Sequence, residues 1–413
     1  MNSKLLDLRI QGERLWDALM AMAEIGATPK GGCNRQAMTD EDKAGRDLFT
    51  RWCEQAGATV AVDAIGNLFA RREGRLPEAP PVMIGSHLDT QITGGKFDGV
   101  YGVLSGVEIL RRLDEAGVET SHPIEVAVWT NEEGVRFAPA MMGSGVWSGA
   151  LDLNRMYQAT DSAGISLESE LRRLGCKGQA PAEARPLKAA FEAHIEQGPI
   201  LEAKGCQIGV VTGAQGVRWY DLDLTGEPCH AGPTPMEMRR DPVAGLLPLL
   251  GHCYDLAARH APWGRATIGD IGAQPGSRNT VAEKAHAKID MRHPETVVLD
   301  QMEQSLRASV AEACESGKLQ GSLGEVFRMP VTEFAPECVQ AVRQAAKRLN
   351  YRHMDIVSGA GHDSVNLAAV APAGMIFVPC ENGISHNEEE SAKPEDLEAG
   401  ANVLLQAVLS MAC

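Results

Sequence analysis

His87 and Asp89 in GSHLDT, Asp98 in GGKFDGVYG, Glu132 and Glu133 in WTNEEG, His194 in EAHIEQG and His386 in NGISHNE are imidazoles and carboxylates. These are the donors that hold zinc, manganese, cobalt or nickel. One such group alone says little, because an HxD or EE pair is ordinarily solvated surface or hydrogen-bonded core. Here the groups follow short apolar runs that read as strands, and in open α/β sheets ligands bind where strands end. The set points to a two-metal hydrolytic centre. Consecutive side chains at a strand end diverge, so one of Glu132 and Glu133 can coordinate an ion while the other takes a proton from water. Asp89, two residues after His87, is placed to hold the other imidazole nitrogen. Asp98 lies in a glycine-rich loop that allows close backbone approach, and its two oxygens can bridge two ions.

The elements that must carry these residues alternate in type. Thr39 opens a capping-box-like TDED before a helix that stops at Gly57, and TVAVDAIGNLFARRE reads as two strands around Gly66-Asn67. PVMIGS is a strand delivering His87, VYGVLSGVEILRRLDEAG has helical spacing after Asp98, and PIEVAVWT is a buried-type strand before the glutamates. AAFEAHIE and QIGVVTG bracket a short helix, and MIFVPC precedes His386. Strands alternating with helices predict an α/β, three-layer catalytic domain with a mixed sheet.

From about Thr212 to Pro330 the order changes: WYDLDLTG, a helix over AGLLPLLGHCYDLAARHA, RATIGDIGA, VAEKAHAKIDMR, a helix from Glu295 to about Lys318, then GEVFRMP. This predicts an inserted α+β sandwich over 213–330, with the catalytic domain formed by 1–212 and 331–413. In VAEKAHAKIDMR, Val281, Ala285, Ala287, Ile289 and Met291 share one face, which leaves Lys284, His286, Lys288, Asp290 and Arg292 on the other.

Composition narrows the function classes. With 413 residues, 44% hydrophobic and 23% charged, the chain is of ordinary globular make-up and long enough for two domains. Lys plus Arg number 39 against 55 Asp plus Glu, a net charge of -16, and no basic cluster stands ready for phosphates. Nucleic acid is excluded as a partner on that ground. The first twenty residues mix charge into an amphipathic helical pattern with no apolar leader core, and no apolar run reaches membrane-spanning length. A cytoplasmic location follows as an expectation. Ten cysteines stand singly, at positions Cys33, Cys53, Cys176, Cys206, Cys229, Cys253, Cys314, Cys338, Cys380 and Cys413, without a CxxC. They fit reduced thiols rather than a disulfide framework or thiolate zinc site.

Other groupings carry less. SGAGHDS, Ser358 to Ser364, holds Ser, His and Asp, but sequence neighbours rarely make a triad in space, and no GxSxG occurs. GVYGVLSG lacks dinucleotide spacing and a Walker lysine, so close helix packing explains its glycines. His230, in GEPCHAGPTP, follows a strand in a Gly/Pro-rich turn, where a surface histidine is the plain reading.

GSHLDT, GGKFDGVYG, NEEGVRF, HIEQG, HAGPTPM, RRD, SRNTV, DMRH, GAGHD and NGISHNE, in this order, resemble the hydantoinase/carbamoylase branch of the dinuclear metal amidohydrolases related to aminoacylase and carboxypeptidase G. The resemblance spans nearly the whole chain. It implies two divalent ions per subunit: His87 and His194 on the first, Glu133 and His386 on the second, and Asp98 bridging. Glu132 is implied as general base, with Asp89 orienting His87. Gln197, Arg218, His230, Asn279, Arg292 and the Gly361 backbone are implied to bind substrate. Arg292 takes its carboxylate, while His230 and Asn279 stabilise the oxyanion. The inserted domain is implied to form a homodimer and act as a lid.

The implied activity is hydrolysis of the ureido C–N bond of N-carbamoyl-L-amino acids to the amino acid, carbon dioxide and ammonia. Allantoate amidohydrolases and β-ureidopropionases are near relatives with the same chemistry. An N-acyl-amino-acid deacylase or peptidase and a metal-free binding protein on the same fold are the remaining alternatives.

Overall fold

In chain order the strands are β1 (Thr59–Val62), β2 (Leu68–Arg72), β3 (Val82–His87), β4 (Ile124–Trp129), β5 (Ala189–Ile195), β6 (Ile208–Ala214), β7 (Gly216–Thr225), β8 (Arg265–Gln274), β9 (Lys284–His293), β10 (Gln320–Met329), β11 (Thr332–Glu333), β12 (His353–Ser358) and β13 (Ala373–Val378). The computed structural model describes residues 3–413, so the first two residues of the N-terminal amphipathic pattern lie outside it. By contacts the chain divides into two compact units, Met1–Thr212 with Glu333–Cys413, and Gly213–Thr332.

The larger unit is built on a nine-stranded mixed sheet among the described residues, ordered β1-β2-β4-β3-β5-β13-β6-β11, with β12 also paired to β6. Its centre is parallel: β3 pairs in parallel with β4 and β5, and β5 with β13. Every residue of these four strands is buried, so both faces of the sheet are covered and the layers number three. Because β4, β3, β5 and β13 run the same way, their carboxyl ends open on one edge, where such sheets bind ligands.

Sequence dictates the covering helices through their apolar stripes. The N-terminal pattern becomes the helix Gly12–Ala23, burying Leu15, Ala18, Leu19 and Met22 at helical spacing. Thr39 caps the helix Asp40–Gln55 by accepting from the Asp42 amide, and Gly57 beyond its end takes φ +75. The helix Val100–Glu115 is buried almost all round. A Cβ at its Gly102 would stand 2.3 Å from the Ala193 carbonyl oxygen, so the glycines of GVYGVLSG serve close packing on the sheet.

The smaller unit holds an antiparallel sheet, β10-β7-β9-β8. On β9 burial alternates as read, with Ala285, Ala287, Ile289 and Met291 inward. They pack with Leu246, Leu249 and Cys253 of the helix Pro242–Arg259 and with Met302 and Leu306 of the helix Thr296–Gly317.

Candidate metal centre

Strand ends place the donors. His87 is the last residue of β3, in register with Trp129 at the end of β4, and His194 of β5 is in register with Phe377 of β13. Glu132 and Glu133 follow β4 through Asn131, which adopts left-handed φ +57. The Asn131 amide donates to the carbonyls of Phe137 at 2.6 Å and Pro139 at 3.2 Å, which holds that turn. His386 lies beyond β13 after the 3₁₀ turn Glu381–Gly383, is itself at φ +53, and is exposed. Asp98 sits just before the helix Val100–Glu115. Next to it Gly99 has φ +68, and a Cβ there would stand 2.3 Å from the His87 ring.

The donors gather in two groups around Asp98. Its Oδ1 is 3.5 Å from His87 Nε2 and 3.0 Å from His194 Nε2. Its Oδ2 is 3.3 Å from His386 Nε2, which is 3.5 Å from Glu133 Oε2. Tetrahedral ligands at metal bonds of about 2.1 Å stand roughly 3.4 Å apart, so these edges fit a divalent ion in each group. His87 Nδ1 meets the Asp89 carbonyl at 2.9 Å and His194 Nδ1 the Ile195 carbonyl at 2.9 Å. A proton on each Nδ1 donates to its carbonyl and leaves Nε2 a lone pair, which on His194 also accepts from the Gly99 amide at 3.1 Å. The donor set therefore suits divalent metal. A third group among the described residues, Glu192, His194 and His362, shares His194. Its Glu192 is occupied by the Ser86 hydroxyl at 2.8 Å and by Ser364 N at 3.0 Å and Oγ at 2.8 Å, and His362 Nε2 lies 3.0 Å from Ser358 Oγ.

Electrostatics follow from crowding charges out of water. Burial penalises the Asp98 carboxylate, yet His194, His386 and His87 outweigh it and hold the group well below the usual range. The hydrogen bond to Asp98 lifts His386 to about 9. Burial pushes Glu133 up to about 7, and burial also holds Glu132, 3.5 Å from His87 Nε2, well above its ordinary value. His362 is held well below the ordinary histidine value by burial and then by His194.

Two residues depart from the expected roles. Asp89 touches His87 through its backbone carbonyl rather than its carboxylate. The carboxylate instead accepts from the amides of Glu132 at 3.2 Å and Glu133 at 3.1 Å, and so sets the course of the glutamate pair. Arg218, implied to bind substrate, is buried: it pairs with Asp300, donates to Glu303 at 2.5 Å and to the Leu299 carbonyl at 3.2 Å. The reason is parity on β7, where Arg218 shares the inward face of Tyr220, Leu222 and Leu224.

The remaining substrate candidates are placed as follows. The Gln197 amide donates to Asp98 Oδ2 at 2.7 Å, while its buried Oε1 has no hydrogen-bond partner among the described residues. Gly361 lies in the turn between β12 and the helix Asp363–Ala368. In the smaller unit, bonds from Ala231 N to the Asn279 carbonyl and from Val281 N to the Cys229 carbonyl, both 2.8 Å, set the His230 and Asn279 segments side by side. His230 Nδ1 accepts from Gly232 N at 3.1 Å, leaving Nε2 to carry the proton. Arg292 lies on the outward face of β9, with its guanidinium against Asp290 at 2.7 Å. In SGAGHDS, Asp363 accepts from Ser144 at 2.5 Å and not from His362.

Sequence reasoning passed over Gln91, which donates to Glu133 Oε2 at 2.6 Å, and Ser385 and Glu390, which meet Asp98. Nothing in the run NEEES distinguishes Glu390 from Glu388, which meets Thr28 and Lys30, or from the exposed Glu389. The burial of Glu390, which lifts it to about 7, is visible only in the folded chain.

Residues 83–410 match the model of peptidase family M20/M25/M40. An N-carbamoyl-L-amino-acid amidohydrolase of Rhizobium meliloti is 47% identical, covering 98% of this chain and 97% of its own. One of Geobacillus stearothermophilus is 37% identical over 98% of this chain and 99% of its own. Among solved structures, an amidase of the hydantoinase/carbamoylase family from Burkholderia multivorans superposes with a TM-score of 0.95 at 54% identity, covering 98% of this chain and 99% of that one.

Proposed function

The chain belongs to peptidase family M20/M25/M40 and is a hydrolase, and on that footing we propose that it cleaves the carbamoyl C–N bond of N-carbamoyl-L-amino acids. The observation that carries the reading is the sharing of Asp98 by two donor groups with the buried Glu132 beside them. A ureido carbonyl is a poor electrophile, because nitrogen donates into it from both sides. Two divalent ions, zinc, manganese, cobalt or nickel, held by His87, His194, Asp98, Glu133 and His386, would supply the Lewis acidity that such a carbonyl needs.

Glu132 takes a proton from the attacking water and later delivers it to the leaving nitrogen. The water oxygen bonds to the carbamoyl carbon, the bond to the amino-acid nitrogen breaks, and the released carbamate gives carbon dioxide and ammonia. Asp89 holds the backbone of both glutamates throughout. From the family resemblance we assign the substrate carboxylate to Arg292, whose fork suits bidentate pairing, and the oxyanion to His230 and Asn279, and we assign further substrate contacts to Gln197 and the Gly361 backbone. We also place a homodimer contact and a lid role on the smaller unit. Exposed Leu247, Tyr254 and Ile271 on that unit support the contact. Ten unpaired cysteines support a cytoplasmic location, and among the described residues no helix is long and apolar enough to cross a membrane.

The test is ammonia release by metal-loaded protein across N-carbamoyl-L- and D-amino acids, N-carbamoyl-β-alanine, allantoate and N-acetyl-amino acids. Release from the α-L-carbamoyl compounds above all others is expected. Turnover confined to allantoate, the β-compound or the acyl compounds would reassign the substrate.

A further inference from the structure

Asp98 must present both carboxylate oxygens in fixed directions, yet it stands in a glycine-rich loop. That loop is pinned at one end by the paired amides and carbonyls of Cys33 and Gly94, at 2.9 and 3.0 Å. His87 and His194 are strand residues, whereas His386 is on a loop. The second donor group therefore takes Asp98 and His386 from two loops that no ladder joins, with Glu133 on the turn after β4.

Ser385 and Gln197 bridge the two loops at Asp98 Oδ2, at 2.9 and 2.7 Å, and Glu390 ties the backbone of one loop to the other. Glu390, 4% exposed, accepts on Oε1 from the amides of Phe97 at 2.8 Å and Asp98 at 3.2 Å. On Oε2 it meets the Ser385 hydroxyl at 3.0 Å, and that hydroxyl is 2.9 Å from Asp98 Oδ2. The seat is cut for it: a Cβ on Gly95 would stand 2.0 Å from the Glu390 carboxyl carbon. The amide of Glu390 in turn donates to the Asn387 carbonyl at 3.0 Å, which closes the turn that carries His386.

We propose that Glu390 is a positioning residue that locks the Asp98 loop to the His386 loop and so sets affinity for the second ion more than for the first. The inference rests on the metal reading above. Partners that orient ligands in this way are worth about 10–100-fold in metal affinity.

The experiment is titration of chelator-treated protein with cobalt, followed by visible absorption and by bound metal per chain, for wild type, Glu390→Ala and Glu390→Gln. Wild type is expected to take up two ions. In Glu390→Ala the first ion should bind within about threefold of wild type, the second at least about tenfold more weakly, with an altered spectrum. Glu390→Gln should recover most of the loss, because its amide oxygen accepts both backbone N–H groups and its NH₂ donates to Ser385. Equal loss of both ions, or a titration and spectrum like wild type in Glu390→Ala, overturns the proposal. If Glu390→Ala does not fold, Gly95→Ala, which displaces the carboxyl rather than removing it, should show the same selective weakening, and unchanged uptake there overturns it. A wild type that binds no cobalt would sink the metal reading as well, whereas two-ion uptake without ureido turnover would count only against the substrate.

Discussion

At the scale of single residues, Asp98 and Glu132 face opposite problems. Asp98 is buried but compensated by three imidazoles, so it stays charged; Glu132 is buried with other carboxylates near it. Changing Glu132 to Gln removes the proton acceptor and little volume. It is expected to leave bound metal unchanged and to lower kcat by at least about a hundredfold, the usual worth of a general base. Elemental analysis with steady-state rates checks this, and a variant with wild-type kcat contradicts the role. His386 gives a second prediction. Its proton, held to about 9 by Asp98, must leave before the imidazole can bind an ion. Affinity for the second ion should therefore climb about tenfold per pH unit from pH 7 to about 9 and level off above. Glu133, at about 7, steepens the dependence below neutrality. Metal titrations at pH 7, 8, 9 and 10 check the slope, and a flat profile contradicts it.

Elements explain what could be read in advance and what could not. The apolar runs before His87, Glu132 and His194 are β3, β4 and β5, legible because strands buried on both faces are continuous in hydrophobicity. The burial of Arg218 was not read, because the strand read in advance began at Trp219, and its place on the parity of Tyr220, Leu222 and Leu224 shows only in the full length of β7. Asp89 was ambiguous in principle: at i+2 from His87 its carbonyl and carboxylate both reach, and the choice depends on where the Glu132 and Glu133 amides arrive. Glu390 could not be found, because its partners Phe97 and Asp98 lie nearly three hundred residues away. Asn131 shows how a turn serves the site. Asn131→Ala keeps an unfavourable left-handed φ and strands two carbonyls, which should cost about 2–3 kcal/mol together. Asn131→Gly relieves the backbone and should cost less. Denaturant melts of the two variants check this, and equal stability of alanine and wild type would show that the turn is held by other contacts.

Across the whole molecule, two folds of different logic share one chain. One is a three-layer unit whose parallel strands open their carboxyl ends on a common edge, and the other a sheet with helices against one face. The donors all lie in the first, so the metal chemistry belongs to that unit, and the net charge of -16 adds to the attraction for divalent cations. The most direct measurement is turnover of an N-carbamoyl-L-amino acid by chelator-treated protein as a divalent metal is added back in known equivalents. The account predicts no ammonia release from the stripped protein and recovery that saturates at two equivalents per chain. Full activity after chelation, or none at any metal level, would contradict it.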